Sequence, residues 1–185
     1  MEWVLGVLAG ISLAAACGFR VFVPMLVMGI AIQTGHLEPA SGFQWLGSWL
    51  AIVCFGVATV VEIVAYFIPV VNNALDTVAT PAAAVAGTIL TASMIGDVSP
   101  WFRWILAAIA GGAAAGGVQI ATVSLRSMAS AVGGSGAVSA VEDAAAAVTS
   151  VLAVILPALT AGLLLVFTWW YIGRKRKQKA SAGIR

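Results

Sequence analysis

The chain alternates long apolar stretches with short polar breaks, and the breaks set the expected elements. The first apolar stretch, residues 3–32, exceeds the ~20 residues that a straight membrane span requires. Gly18, Arg20 and Pro24 cluster near its middle. It is expected either as one tilted, kinked helix or as two pieces broken at Gly18. A polar loop follows over 33–42. A second span is read from about 43 to 68 and closed by Pro69, and a third from 70 to 95. The first half of the third carries Asn72, Asn73, Asp76, Thr77 and Thr80, with Pro81 close behind, and is too polar to face lipid. A fourth span is read from about 101 to 125, with Arg126 at its edge. Gly133, Gly134, Ser135 and Gly136 make a loop. The last helix is expected from near Ser139 to about 172, bent at Pro157. Trp45, Trp49, Trp101, Trp104, Trp169, Trp170 and Tyr171 fall where interfacial belts sit.

Composition agrees with that pattern. Of the 185 residues 62% are hydrophobic and 9% charged, against about half apolar for a soluble domain. The expected class is an all-α integral membrane protein, a bundle of five or six transmembrane helices with kinked or broken segments at Gly18, Pro69, Pro81 and Pro157. A membrane β-barrel would alternate over ~10-residue segments, whereas these runs are continuous and rich in Ala, Leu and Gly. One transmembrane domain spans 1–173.

Helical spacing gathers the polar residues onto faces. Gly6, Gly10, Ala14, Cys17, Arg20 and Pro24 recur at steps of three or four. So do Asn73, Asp76, Thr80, Ala83, Gly87 and Thr91, and so do Ala108, Gly112, Ala115, Gln119, Thr122 and Arg126. Glu142, Ala146, Thr149, Ala153 and Thr160 come close to the same rule. Small faces let helices approach, and Gly112 with Gly116 forms a GxxxG element. Two stretches also resemble each other in order: residues 14–21 with 113–120, and 71–80 with 141–150. Together they suggest a degenerate internal repeat, a device common in transporters.

Charge changes the picture most. A charged side chain in hydrocarbon costs roughly 2.5–3.5 kcal/mol on insertion scales, so Arg20, Glu62, Asp76, Arg126, Glu142 and Asp143 need partners or water. Four of these acids face two arginines, and full pairing leaves two carboxylates to be protonated, solvated or balanced by a cation. Some of the six have plain structural alternatives. Ser139 and Glu142 match a capping box, and Asp143 would favour the same helix dipole. Arg126 could snorkel to an interface. Arg20, Glu62 and Asp76 form the core of the candidate ion- or substrate-binding set. Asn72, Asn73 and Gln119 are expected neighbours, and Arg126, Glu142 and Asp143 complete the set. No cofactor or catalytic residue is assigned, and the sequence leaves a metal open.

The termini and the remaining reactive residues add less. Six of the nine basic residues, Arg174, Lys175, Arg176, Lys177, Lys179 and Arg185, form the tail, so that 174–185 reads as a cytoplasmic segment beside anionic lipid. With the tail inside, five spans put the N-terminus outside and six put it inside. Residues 1–173 hold three arginines against seven acids, a net charge of −4. No basic groove accompanies the tail, which argues against nucleic acid. Cys17 and Cys54 read as buried small hydrophobes. His36 is in the loop and receives no role. The sequence around Cys17 faintly resembles a lipoprotein processing site. No basic region precedes it and the apolar run continues past it, so the segment is read as a retained span.

The combination of residues 17–24 (Cys-Gly-Phe-Arg-Val-Phe-Val-Pro), 72–76 (Asn-Asn-Ala-Leu-Asp), 81–87 and 138–143 (Val-Ser-Ala-Val-Glu-Asp) resembles a bacterial family of small multi-pass membrane proteins, catalogued as a domain of unknown function. The resemblance covers nearly the whole chain. It implies a bacterial inner-membrane protein and carries no activity. The residues themselves favour a small transporter or channel for an ion or small polar solute, homo-oligomeric and surrounded by membrane lipid. Two alternatives use the same charges: a non-catalytic assembly partner, and an intramembrane enzyme acting on a lipid-linked substrate.

Overall fold

A computed structural model of the chain describes residues 2–96, 98–130, 135–157, 159–163, 166 and 169. The side chains of Asn72 and Asn73 lie outside that description, as do Trp170, Tyr171 and the basic tail. The described residues form helices and turns, without strands. In order they are α1 (Glu2–Cys17), α2 (Phe22–Gln33), a 3-10 turn (Gln44–Gly47), α3 (Trp49–Tyr66), α4 (Pro69–Met94), α5 (Pro100–Ala107), α6 (Ala113–Ser130) and α7 (Ser135–Ile155). A widened π turn, Ala108–Gly112, joins α5 to α6. The protein is thus an all-helical membrane protein. Among the described residues, four helical stretches are long and apolar enough to cross a bilayer, namely Trp49–Tyr66, Ala74–Met94, Pro100–Ala129 and Gly136–Ile155. Two shorter apolar helices, α1 and α2, precede them.

Those two resolve the long first stretch: it breaks after Cys17. Gly10 packs on Thr91 and Met94 near the end of α4, and Gly87, further back along α4, approaches Ala14. α1 therefore runs antiparallel to α4. α2 turns back, its Met28 meeting Ser93 and its Gly29 meeting Leu46 and Ile52 at the start of α3. The pair is an antiparallel hairpin with both open ends on one side. At ~1.5 Å per residue its arms are about 24 and 18 Å long, each short of the ~30 Å hydrocarbon layer. Its tip, Gly18 to Val21, therefore lies inside the bundle.

Around the hairpin, α3 rises and α4 descends, joined by Phe67 and Ile68. The α5–α6 rod rises again, and α7 returns along α1 and α2. Leu13, Met28, Leu46 and Leu90 form the fully buried centre. Crossings are tight where side chains are missing. A Cβ at Gly87 would stand 2.6 Å from Ala115 Cβ and 2.8 Å from the Gly111 carbonyl oxygen. One at Gly111 would overlap the Thr91 hydroxyl and the Gly87 carbonyl. The GxxxG element rests on Ala84 and Thr88 of α4, so it serves packing within the chain. Trp49, Trp101 and Trp169 are exposed at 70%, 79% and 79%, as belt residues should be.

Several expectations need correction. Pro81 does not break α4, which runs unbroken from Pro69, itself a first-turn proline. A proline within a span is tolerated where neighbouring groups re-satisfy the backbone. α7 starts at Ser135, not near Ser139, and gives way at Leu156 beside Pro157. Gly133 and Gly134 of the expected loop lie outside the described residues, whereas Ser135 and Gly136 are helical. Cys54 is exposed, because α3 is a peripheral helix whose Val53, Val57, Val60 and Val61 also face outward. Ala108 is exposed, because the π turn shifts the register of its stripe. Of the two resembling segments, 14–21 leaves its helix at Cys17, whereas 113–120 stays within α6.

Candidate functional site

The hairpin tip delivers Arg20 into a cluster of charge. Asp76 lies seven residues into α4 and Glu142 seven into α7, while Arg126 lies four before the end of α6. At ~1.5 Å per residue all three sit about 6–11 Å below the helix ends on the side opposite the hairpin's open ends. Arg20 reaches the same level from the other side.

Arg20 is fully buried. Its Nε donates to Asp143 Oδ1 at 2.6 Å and its Nη1 to Glu142 Oε2 at 3.1 Å. Nη1 also donates to the Phe19 carbonyl and Nη2 to the Ser139 carbonyl, each at 3.3 Å. Arg126, 1% exposed, donates from Nη1 to Asp76 Oδ1 and from Nη2 to the same Glu142 Oε2. One carboxylate oxygen thus bridges two guanidinium groups, and Asp76 and Asp143 flank the pair. The Tyr66 ring faces both guanidinium carbons, at 4.1 and 4.4 Å from its centroid. Such contacts contribute about 2 kcal/mol each when desolvated. Desolvating each ion costs several kcal/mol, which the shared pairing, the carbonyl contacts and the ring offset together.

Glu62 does something else. Its Oε1 accepts the Val21 N–H at 2.8 Å and its Oε2 the Phe22 N–H at 3.1 Å. These amides open α2, so the carboxylate caps a helix start whose positive dipole end points at it. This backbone clamp fastens the hairpin tip to α3. Four acids are therefore placed with none stranded: three share the arginines and the fourth holds two amides. The capping-box reading of Glu142 and the first-turn reading of Asp143 also fall. α7 begins a turn earlier, Ser139 is its fifth residue, and the serine offers its carbonyl to Arg20.

Gln119 is 1% exposed one turn before Thr122, whose hydroxyl donates to the Gly18 and Gln119 carbonyls. It lies beside the hairpin tip and is not seen bonded to the charges. Asn72 and Asn73 lie on the first turn of α4. Tyr66 is the site residue that the sequence reading left unassigned. Its signal was the four-residue step from Glu62, which puts both on one face of α3.

Hydrogen-bonding capacity remains in the cluster. Glu142 Oε1, Ser139 Oγ and Gln119 Nε2 are buried and without a partner among the described residues. Three carboxylates against two guanidinium groups also leave one formal negative charge, so the cluster has chemistry for a proton or a monovalent cation. Among the described residues, no three His, Cys, Asp or Glu side chains are arranged to hold a metal ion.

No curated protein and no solved structure matches the chain. A family model described as a domain of unknown function, DUF4126, matches residues 7–176. That stretch contains all of the hairpin but the first five residues of α1, all four long helices and every charge of the cluster, and the chain belongs to this family of unknown function.

Proposed function

We propose that the protein is a small transporter or channel for an ion or small polar solute, working at the Arg20–Glu142–Arg126 cluster. The observation that carries this reading is the hairpin. A helix pair too short to cross ends inside the bundle on two buried arginines, bridged by one glutamate that keeps an oxygen without a partner among the described residues. Broken helices that end on charge within a membrane are a way to bind and release ions. In this reading Glu142 takes the proton or cation, Asp76 and Asp143 flank it, and the arginines supply counter-charge. Glu62 sets the hairpin's position. The protein sits as a homo-oligomer in the bacterial cytoplasmic membrane, its basic tail on the cytoplasmic side, where the bias of Lys and Arg favours it.

The test is flux into liposomes containing purified protein, read for H+, Na+, K+ and Cl− and for a panel of small polar metabolites. At least one solute should move, and Glu142→Gln and Arg20→Ala should each stop it while the protein still inserts. Silence across the whole panel in correctly inserted protein rejects the reading.

A further inference from the structure

Beside the charge cluster lies a cavity of about 780 Å³, within the range of small-molecule sites. It runs between α6 and α7 from Ala137 past Glu142 to Leu152, and Thr160 and Leu163 beyond Pro157 also line it. Its rim residues Leu125, Val141 and Leu163 are 51%, 69% and 57% exposed, so it opens sideways onto the apolar surface. Its walls are almost wholly apolar, and Glu142 is the one charged residue among them. From Glu142 to Leu152 is ten residues of helix, about 15 Å at ~1.5 Å per residue, which suits a hydrocarbon tail.

We infer that this cavity is a binding site for an amphipathic cation that enters from the membrane, with its ammonium group at Glu142 and its tail along α7. The site rests on the transport reading above and names the substrate class for it. Three features select a cation over a neutral or anionic amphiphile. Glu142 is 4% exposed and its Oε1 has no partner among the described residues, so a donor there fills a vacant acceptor once the side chain turns that oxygen toward the cavity. Arg20, Arg126, Asp76 and Asp143 cancel in formal charge, so that with Glu142 the cluster carries one negative charge in a low-dielectric setting. The rest of the wall is largely apolar and offers an anion no charged donor, while the hydroxyl oxygens of Thr122 and of Thr149, two turns along α7 from Glu142, add acceptors to the wall.

Dodecylammonium is the probe, measured against dodecanol and dodecanoate, with the full chain in phosphatidylcholine nanodiscs. Dodecylammonium should bind saturably and the other two should not. Glu142→Gln should weaken it about 10- to 100-fold, the range for one charge-assisted bond. Leu152→Trp, which fills the cavity away from the charges, should remove binding while circular dichroism stays unchanged. It keeps the test open if Glu142→Gln does not fold. Equal binding of all three probes, or full binding in Leu152→Trp, overturns the inference. Competition by phosphatidylethanolamine but not phosphatidylglycerol assigns the site to an amine headgroup, and its absence assigns it to a free amphipathic amine. Either result requires that dodecylammonium binds. Binding without flux of any solute rejects the transport reading alone, and flux of simple ions without dodecylammonium binding rejects this inference alone.

Discussion

Replacing Glu62 with glutamine separates a clamp from an ion site. The carboxylate accepts two backbone N–H groups, at 2.8 and 3.1 Å. Glutamine has one carbonyl oxygen, so it keeps one of these bonds in neutral form and turns an NH2 group toward the other amide. A bond to a charged group contributes about 1.5–3 kcal/mol and a neutral one about 1 kcal/mol, while a buried N–H left unmade costs about 1–3 kcal/mol. Exchanging two charge-assisted bonds for one neutral bond loses about 2–5 kcal/mol, and because the side chain is half-buried Glu62→Gln falls in the lower part of that range, at about 2–3 kcal/mol. The assay is unfolding in mixed micelles titrated with dodecyl sulfate and followed by circular dichroism, together with hydrogen exchange at residues 21 and 22. Exchange at those amides should accelerate by one to two orders of magnitude, about 1.4 kcal/mol per tenfold. Wild-type stability with wild-type protection at Val21 and Phe22 would refute the clamp. If flux were lost at the same time, Glu62 would be an ion ligand instead.

Two further expectations probe packing and charge. Asp76→Asn and Arg126→Met should show a coupling of about 1–3 kcal/mol in a double-mutant cycle on the same unfolding assay, since they share a buried bond; strict additivity would break the proposed pairing. Gly111→Ala should cost more than about 2 kcal/mol, because its Cβ meets the Gly87 backbone, whereas Gly117→Ala meets nothing within 4 Å and should stabilise by about 0.5–1 kcal/mol. Equal effects at the two glycines would show that the α4–α6 crossing is looser than described.

How much of this was legible in the chain depends on the kind of information. The stripes were, because helical periodicity is local: Cys17, Arg20, Ala83, Gly87, Ala115, Gln119, Arg126, Glu142, Ala146 and Ala153 all face inward. The break at Gly18 was visible as two alternatives, and its outcome depended on a distant carboxylate that satisfies the freed amides. The pairing of charges was not legible. Counting acids against arginines gave a surplus of two, but only the three-dimensional arrangement lets one glutamate serve two arginines and lets Glu62 serve backbone. The start of α7 was missed because a capping-box pattern is short and recurs inside helices. Cys54 was misplaced because an apolar residue facing lipid and one facing the core look alike in sequence.

The partners of the hairpin tip are made at different times. Glu62 follows Phe22 by 40 residues, whereas Glu142 and Asp143 follow Arg20 by 122 and 123. At about 5–20 residues per second, the glutamate that caps α2 emerges within roughly 2–8 s and the acids that neutralise Arg20 only after roughly 6–25 s. Until the last helix arrives the first hairpin is therefore held by its backbone clamp, and the guanidinium at its tip has the Tyr66 ring and the Phe19 carbonyl but not yet Glu142 and Asp143. Assembly of the site is thereby tied to completion of the chain, and a nascent protein truncated before α7 would carry an unneutralised charge that quality control could recognise.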